Sequence, residues 1–391
     1  MIVREPIYLF ERCKYPQWMP PHDDYRVITR VVRVRDRQDR ASPTGGCQSG
    51  AVPDDSLVRV DHDDHDPGPY FDDLVVGQSL DPAPAVTIGP GEAATYQAIC
   101  GDPLATSLSR PLAEAVTGRP GALVNPALVL HVSIGQSTVA TRRVIANLFY
   151  RGVVLHRPVR HGETLHTTVE VRGLSELSRR DDRPARGLVL LGIHTVRVDD
   201  GATVADYERC AMLRFRDATT TTGHDDDLGA VDPQIHLGDW EGRIPPDWDP
   251  TPLTPVAVKS WQVGVRRSDG LRDTVTLAPE LARLTQNQAP VHRDPALDPD
   301  GRRLVYGGHT IGLAQASLVR MLPDTATVLG WQACDHLAPV FEGDVLACHH
   351  TLLDERPAAG GRLRAVRVEV DSDRGDETVQ VLDWRVVTWG A

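Results

Sequence analysis

Aromatic residues are scarce in this chain: Phe, Trp and Tyr make up 5% of 391 residues, although hydrophobic residues reach 41%. Any core must therefore be built mainly from Val, Leu and Ala. No apolar run reaches membrane-spanning length, and the N-terminus lacks a charged-then-apolar leader pattern. The expectation is a soluble, cytoplasmic protein with no membrane partner. None of the six cysteines (Cys13, Cys47, Cys100, Cys210, Cys334, Cys348) shows C-x-x-C spacing. That argues against a disulfide framework and a zinc site, and no metal is expected. Basic charge is also short: the formal net charge is −12. Nucleic acid, which demands a basic surface, is excluded as a partner. A small anionic molecule is not, because a local Arg cluster suffices to hold one.

A length of 391 residues suggests two domains. Residues 1–67 differ from the rest, with Pro20-Pro21, an Arg-rich alternation through Arg30–Arg40 and the run DHDDHD at Asp61–Asp66. They read as a disordered or dispensable extension. Carboxylates in such a run have no fixed geometry for a metal. Residues 68–217 form a first folded block and residues 257–391 a second. The Thr-, Asp- and Pro-rich stretch 218–256, with GHDDD at Gly223–Asp227, reads as a linker unable to pack a core.

The two blocks repeat one order of elements. The first has a short strand at AVTI, a helix near Gly91–Cys100, a loop GDPLATSLSRP and the apolar segment NPALVLHVSIGQS. Strands follow near 144–156, 164–177, 187–198 and 202–215. The second has a strand near 273–277, a helix near 279–288, a loop to Gly307 and an apolar helix over 309–321. Strands follow near 327–338, 344–355, 363–371 and 378–388. Arg157-Pro-Val-Arg-His-Gly-Glu-Thr-Leu165 matches Ala338-Pro-Val-Phe-Glu-Gly-Asp-Val-Leu346. Each supplies a turn in which Gly162 or Gly343 takes positive φ. Ile311, Ala314, Leu318 and Leu322 make a helical stripe. One long helix wrapped by an antiparallel sheet, twice over, is an α+β double hotdog.

The stretch Leu284–Ser317, LTQNQAPVHRDPALDPDGRRLVYGGHTIGLAQAS, concentrates the candidate chemistry. His292 can transfer protons near neutral pH. The helix that opens after Gly307-Gly308 offers free N–H groups to a carbonyl oxygen. Together they suit a thioester. The blander alternative for His292 is a loop histidine bonded to its own turn.

These residues resemble a known family. PYFDDLVVG, the Gly101-Asp102 loop, the PV-x-x-G-[ED] turns and NQAPVHRD…VYGGHTIGLA look like the MaoC-like (R)-specific enoyl-thioester hydratase/dehydratase superfamily. The likeness, from about Pro69 to the C-terminus, is greatest to its two-hotdog members acting on mesaconyl-CoA (2-methylfumaryl-CoA). The family motif GD-x-N-P-x-H, laid on the second half, puts His292 on the catalytic His and Pro290 on the Pro. Asn287 stands in place of the Asp and Ala289 in place of the Asn. Laid on the first half, Asp102 is kept and Ser107 replaces the His.

The resemblance implies that the second half carries out reversible hydration of an enoyl-CoA and that the first is degenerate. His292 would be the acid/base, Asn287 would orient water, and a backbone N–H after Gly307-Gly308 would hold the enolate oxygen. His309 sits beside that donor, Asp294 would tether the loop, and Tyr306 would be a pocket wall or core. The partner implied is an acyl-CoA, with acyl carrier protein as the alternative carrier. No cofactor is expected, and a homodimer is an open expectation.

Other sites keep plainer readings. His131 fits a core histidine, and Arg142-Arg143 fits either coenzyme A phosphates or a solvated strand end. Two other functions compete. A hotdog thioesterase needs a carboxylate on the central helix, and HTIGLAQASLVRML has none. A non-catalytic acyl-binding protein remains open because both dyads are incomplete.

Overall fold

Two copies of one turn fix the architecture. Gly162 and Gly343 take φ of 95° and 98°, a backbone region where an L side chain is strained. The acidic residue that follows closes each turn. Glu163 accepts from the Arg160 N–H at 2.9 Å, and Asp344 accepts from the Phe341 N–H at 3.1 Å. Just ahead of the two central helices, the N–H groups of Val124 and Val305 donate to the carbonyls of Val159 and Val340. The repeat is thus present hydrogen bond by hydrogen bond, and it aligns Pro126 with Gly307.

The computed structural model describes residues 68–179, 184–229, 234–253, 260–298, 300–375 and 377–391. The expectations for residues 1–67, including the DHDDHD run, lie outside these. The first half comprises β1 (Val86–Thr87), α1 (Pro90–Cys100), α2 (Ala105–Leu108), α3 (Arg110–Thr117), α4 (Pro126–Gln136) and strands β2 (Val144–Leu155), β3 (Thr164–Glu176), β4 (Arg186–Arg197) and β5 (Thr203–Arg214). The second comprises β6 (Arg266–Ser268), β7 (Asp273–Thr274), α5 (Ala278–Leu284), α6 (Gly307–Met321) and strands β8 (Thr325–His336), β9 (Val345–Ala358), β10 (Gly361–Asp373) and β11 (Thr378–Gly390). This is the α+β double hotdog. Among the described residues no helix is long and apolar enough to cross a membrane.

Four features differ from expectation. The two sheets are one: β2 pairs with β8, giving the order β1, β3, β4, β5, β2, β8, β11, β10, β9, β6, with β7 also on β9. Three of the few aromatic rings meet at this seam. Tyr150 packs edge-on to Trp331 at 5.8 Å, and Trp331 packs on Trp384 at 5.6 Å. Second, the loop expected after Gly101 is largely helical. Ser109 caps α3 by accepting from the Leu112 N–H, and Gly118 ends it at φ 64°. Third, α6 is buried all round from Gly308 to Val319 rather than along one stripe, because the sheet wraps one side and α4 packs on the other. Fourth, Leu237, Trp240, Ile244 and Leu253, in the stretch read as a linker, are buried in a second apolar cluster with Leu363 and Trp389. Composition understated that packing.

The outer edges of the sheet are covered. Beside β3 lie β1, the Gly77–Leu80 segment and Asp225; beside β9 lie β6, β7 and Gly264.

The halves meet most tightly at Gly135 on α4. A Cβ placed there would lie 1.7 Å from the carbonyl oxygen of Thr285, the residue that ends α5. Neither is a flexible side-chain tip, so Gly135→Ala must push two backbones apart. The expected loss is about 3 kcal/mol, at the upper end of ordinary overpacking. A thermal or urea melt reads it, and an unchanged midpoint would refute the close approach.

Candidate active site

The turn that ends α5 positions Asn287. The Asn287 N–H donates to the Ala282 carbonyl at 2.8 Å and the Gln286 N–H to the Arg283 carbonyl at 3.2 Å. This is the Schellman pattern, which demands a left-handed residue between helix and exit. Gln286 supplies it at φ 59° without being glycine. Asn287, buried, then accepts from the Ala289 N–H at 3.0 Å through Oδ1. Its Nδ2 keeps no partner among the described residues. The Arg293 guanidinium donates to the Asn287 carbonyl at 2.6 Å and ties the two ends of the loop together.

Pro290 opens a single 3₁₀ turn, Pro290–His292, that carries the histidine. His292 Nδ1 lies 3.0 Å from the Leu304 carbonyl. A carbonyl can only accept, so Nδ1 bears the proton and Nε2 is left as the basic nitrogen. Burial, with smaller contributions from nearby Arg209 and Arg293, pushes the His292 pKa down to about 4. The ring is therefore neutral at pH 7.

His292, Asn287, Tyr306 and Gly307 line one cleft of about 350 Å³. Gly307 is the first residue of the 15-residue helix α6, whose opening N–H groups lack intrahelical acceptors and whose dipole favours negative charge. The Tyr306 ring packs 5.9 Å from that of His292, and its hydroxyl donates to the His131 carbonyl.

Not every expected residue joins. His309 does not line the cleft, because helical rotation sends Gly307 and Thr310 towards it and carries His309 round to the α4 side. There it neighbours His131, and both rings lack hydrogen-bond partners among the described residues. His309, expected beside the oxyanion donor, therefore stands away from the cleft. Gly308 lies under the Tyr306 ring. Asp294 is exposed and caps the next turn by accepting from the Ala296 N–H at 2.9 Å. It holds the loop rather than the histidine. Arg142 bonds Gln288 through Nε, and Arg143 bonds the Gly68 carbonyl and stacks on Tyr70.

Three residues missed in the sequence complete the cleft: Tyr150, Arg209 and His336. His336 is half-buried, its Nε2 is buried without a hydrogen-bond partner among the described residues, and desolvation takes its pKa to about 4. A Cβ at position 307 would lie 2.6 Å from the His336 ring, so glycine is what lets ring and helix meet. Arg209 is the one charged side chain at an inward position of the alternation Tyr207, Arg209, Ala211, Leu213. That was the available signal.

The equivalent cleft of the first half, lined by Ser107, Val124, Pro126 and Arg157, is only about 30 Å³ and carries no histidine. Asp102 is buried and saturated: Asn125 Nδ2 donates at 2.8 Å, Gln315 Nε2 at 2.7 Å and the Leu104 N–H at 3.0 Å. Pro126, at the position of Gly307, has no N–H to offer. The acid is fully bonded and the helix-end donor is absent.

A continuous sheet around two central helices is the double-hotdog arrangement. No protein-family model matches the chain. It is 30% identical over 313 residues to mesaconyl-CoA hydratase of Cereibacter sphaeroides, covering 78% of this chain and 88% of that protein. It is 29% identical over 332 residues to beta-methylmalyl-CoA dehydratase of Chloroflexus aurantiacus, covering 79% and 89%. A conserved hypothetical protein of Mycobacterium tuberculosis with a double hotdog fold superposes with a TM-score of 0.73 at 41% identity, over 82% of this chain and 98% of that one. The chain belongs to the MaoC-like double-hotdog hydratase/dehydratase family.

Proposed function

We propose that the protein reversibly hydrates an enoyl-CoA of the mesaconyl type, giving a 3-hydroxyacyl-CoA of the beta-methylmalyl type, in the second-half cleft. The observation that carries this reading is the His292 ring: neutral, fixed by Leu304, and in one cleft with Asn287 and the α6 N-terminus. His292 Nε2 takes a proton from water as the oxygen bonds to Cβ. The C=C bond breaks, and the same imidazole returns a proton to Cα on the same face. Asn287 Nδ2 donates to the water oxygen and orients it. The Gly307 N–H meets the enolate oxygen, where charge develops. Residues 68–217 act as a supporting half, residues 218–256 connect the two, and residues 257–391 hold the acid/base pair.

The test is loss of absorbance at the enoyl-thioester band with mesaconyl-CoA and crotonyl-CoA. Turnover is expected. Release of free thiol would identify a thioesterase instead, and no change with either would leave an acyl-binding protein. The same assay with an acyl-carrier-protein thioester, expected to be poorer, reads the carrier. Cytoplasmic location and a homodimer complete the proposal and are read by fractionation and light scattering.

Asn287→Asp gives a sharper check. A carboxylate keeps the acceptor for the Ala289 N–H but sets a negative charge beside His292. The acid limb of the rate profile should then rise from about pH 4, by one unit or more on the order expected for a close opposite charge. An unmoved limb would place His292 outside the chemistry or away from residue 287.

A further inference from the structure

Arg209 is a buried cation with no anion. It projects from β5, is 3% exposed, and lines the cleft with His292 and Asn287. Its Nε donates to Asn147 Oδ1 at 2.6 Å, Nη1 to Ser137 Oγ at 2.7 Å and Nη2 to Thr141 Oγ1 at 2.9 Å. Every one of these partners is neutral, and among the described residues no carboxylate pairs with it. The other deeply buried arginine, Arg364, sits between Asp324 and Glu355. A guanidinium has five N–H donors, so two remain beyond the three bonded here. An uncompensated charge away from water is costly, and removing that cost takes an anion.

We infer that Arg209 receives a carboxylate on the acyl chain of the substrate and so makes the enzyme selective for enoyl-CoA thioesters that carry one. This rests on the hydratase reading and narrows it. In a mesaconyl-type thioester the free carboxylate is attached to the carbon that takes the hydroxyl. The group that recognises it must therefore share the cleft with the base, as Arg209 does. Planar guanidinium donors match a carboxylate bidentately. The neutral partners Asn147, Ser137 and Thr141 aim the cation without cancelling its charge. A site built this way rejects an analogue lacking the anion, because the cation would again be left unpaired. The first half, which has no acid/base pair of its own, thereby supplies the selectivity.

The test compares kcat/KM for mesaconyl-CoA and crotonyl-CoA in the wild type, Arg209→Gln and Arg209→Lys. The wild type should prefer mesaconyl-CoA by about 100-fold or more. Arg209→Gln should erase that preference, through a loss on mesaconyl-CoA that exceeds any loss on crotonyl-CoA by about 100-fold, and Arg209→Lys should keep part of it. A wild type without preference overturns the inference. So does Arg209→Gln lowering both substrates equally, which would assign Arg209 to coenzyme A phosphates or to the fold. Should Arg209→Gln fail to fold, thermal unfolding of the wild type with each thioester decides. A larger upshift with mesaconyl-CoA supports the inference, and equal upshifts overturn it. That binding arm needs no turnover, so it still judges Arg209 if neither thioester is hydrated and the hydratase reading falls.

Discussion

His292→Ala should lower kcat for enoyl-CoA hydration by 10²–10⁴-fold, the usual contribution of one positioned acid/base, while leaving KM within a few-fold. The split follows from where the ring sits. Its Nδ1 is committed to the Leu304 carbonyl, so Nε2 is the one nitrogen available for proton transfer. His292→Gln is the stricter version, since an amide N–H can still reach Leu304 and preserve the loop, yet cannot carry a proton. It should fall as far as the alanine variant. If instead His292→Gln keeps near-normal kcat, the half-buried, equally neutral His336 across Gly307 becomes the base, and the motif points to the wrong imidazole.

The second large effect is on stability. Burial depresses His292, His309, His336 and His350 to about 4 and His131 to about 3, against about 6.5 in an unfolded chain. Between those values the unfolded chain holds these protons and the folded chain does not. Stability is therefore complete above pH 6.5 and is lost as pH falls through the window towards 4 and 3. Each such group contributes about 1.4 kcal/mol per pH unit there, against a total of about 5–15 kcal/mol for a typical fold. A few histidines acting together suffice. Cooperative acid unfolding is expected near roughly pH 5, well above the carboxylate range, with Tm dropping steeply from pH 7. Replacing His131, unpartnered between α4 and α6, by Gln should shift the midpoint down. A flat Tm from pH 7 to 4.5 would mean that these rings find water or protons in the folded state.

What the sequence made legible was local. The long strands of both halves emerged from strand-like runs between turn signals, to within three residues of their ends, and the paired turns gave the repeat. Asn287 and His292 were singled out because the motif of the family the chain resembles spaces them within one short loop. What it hid was set by register and by distance along the chain. Arg209 reaches the cleft from the other half only because β5 pairs with β2, opposite Tyr150. His336 ends a strand 44 positions beyond His292, with nothing local to mark it. The helix α3 was a different miss. Its signals, Ser109 as cap, Pro111 in the first turn and Gly118 at the exit, were all present but lay within a stretch that composition labelled a loop.

The covered edges of the sheet bear on what this chain can join. A bare outer strand offers a row of unpaired N–H and C=O groups to any passing chain, and is the usual route to runaway strand addition. Here both outermost long strands, β3 and β9, are shielded by pieces only two to four residues long, too short to template another strand. An eleven-stranded sheet of this kind is terminated at both ends. Any second copy would then meet this chain through side chains on a face rather than by adding a strand to the sheet.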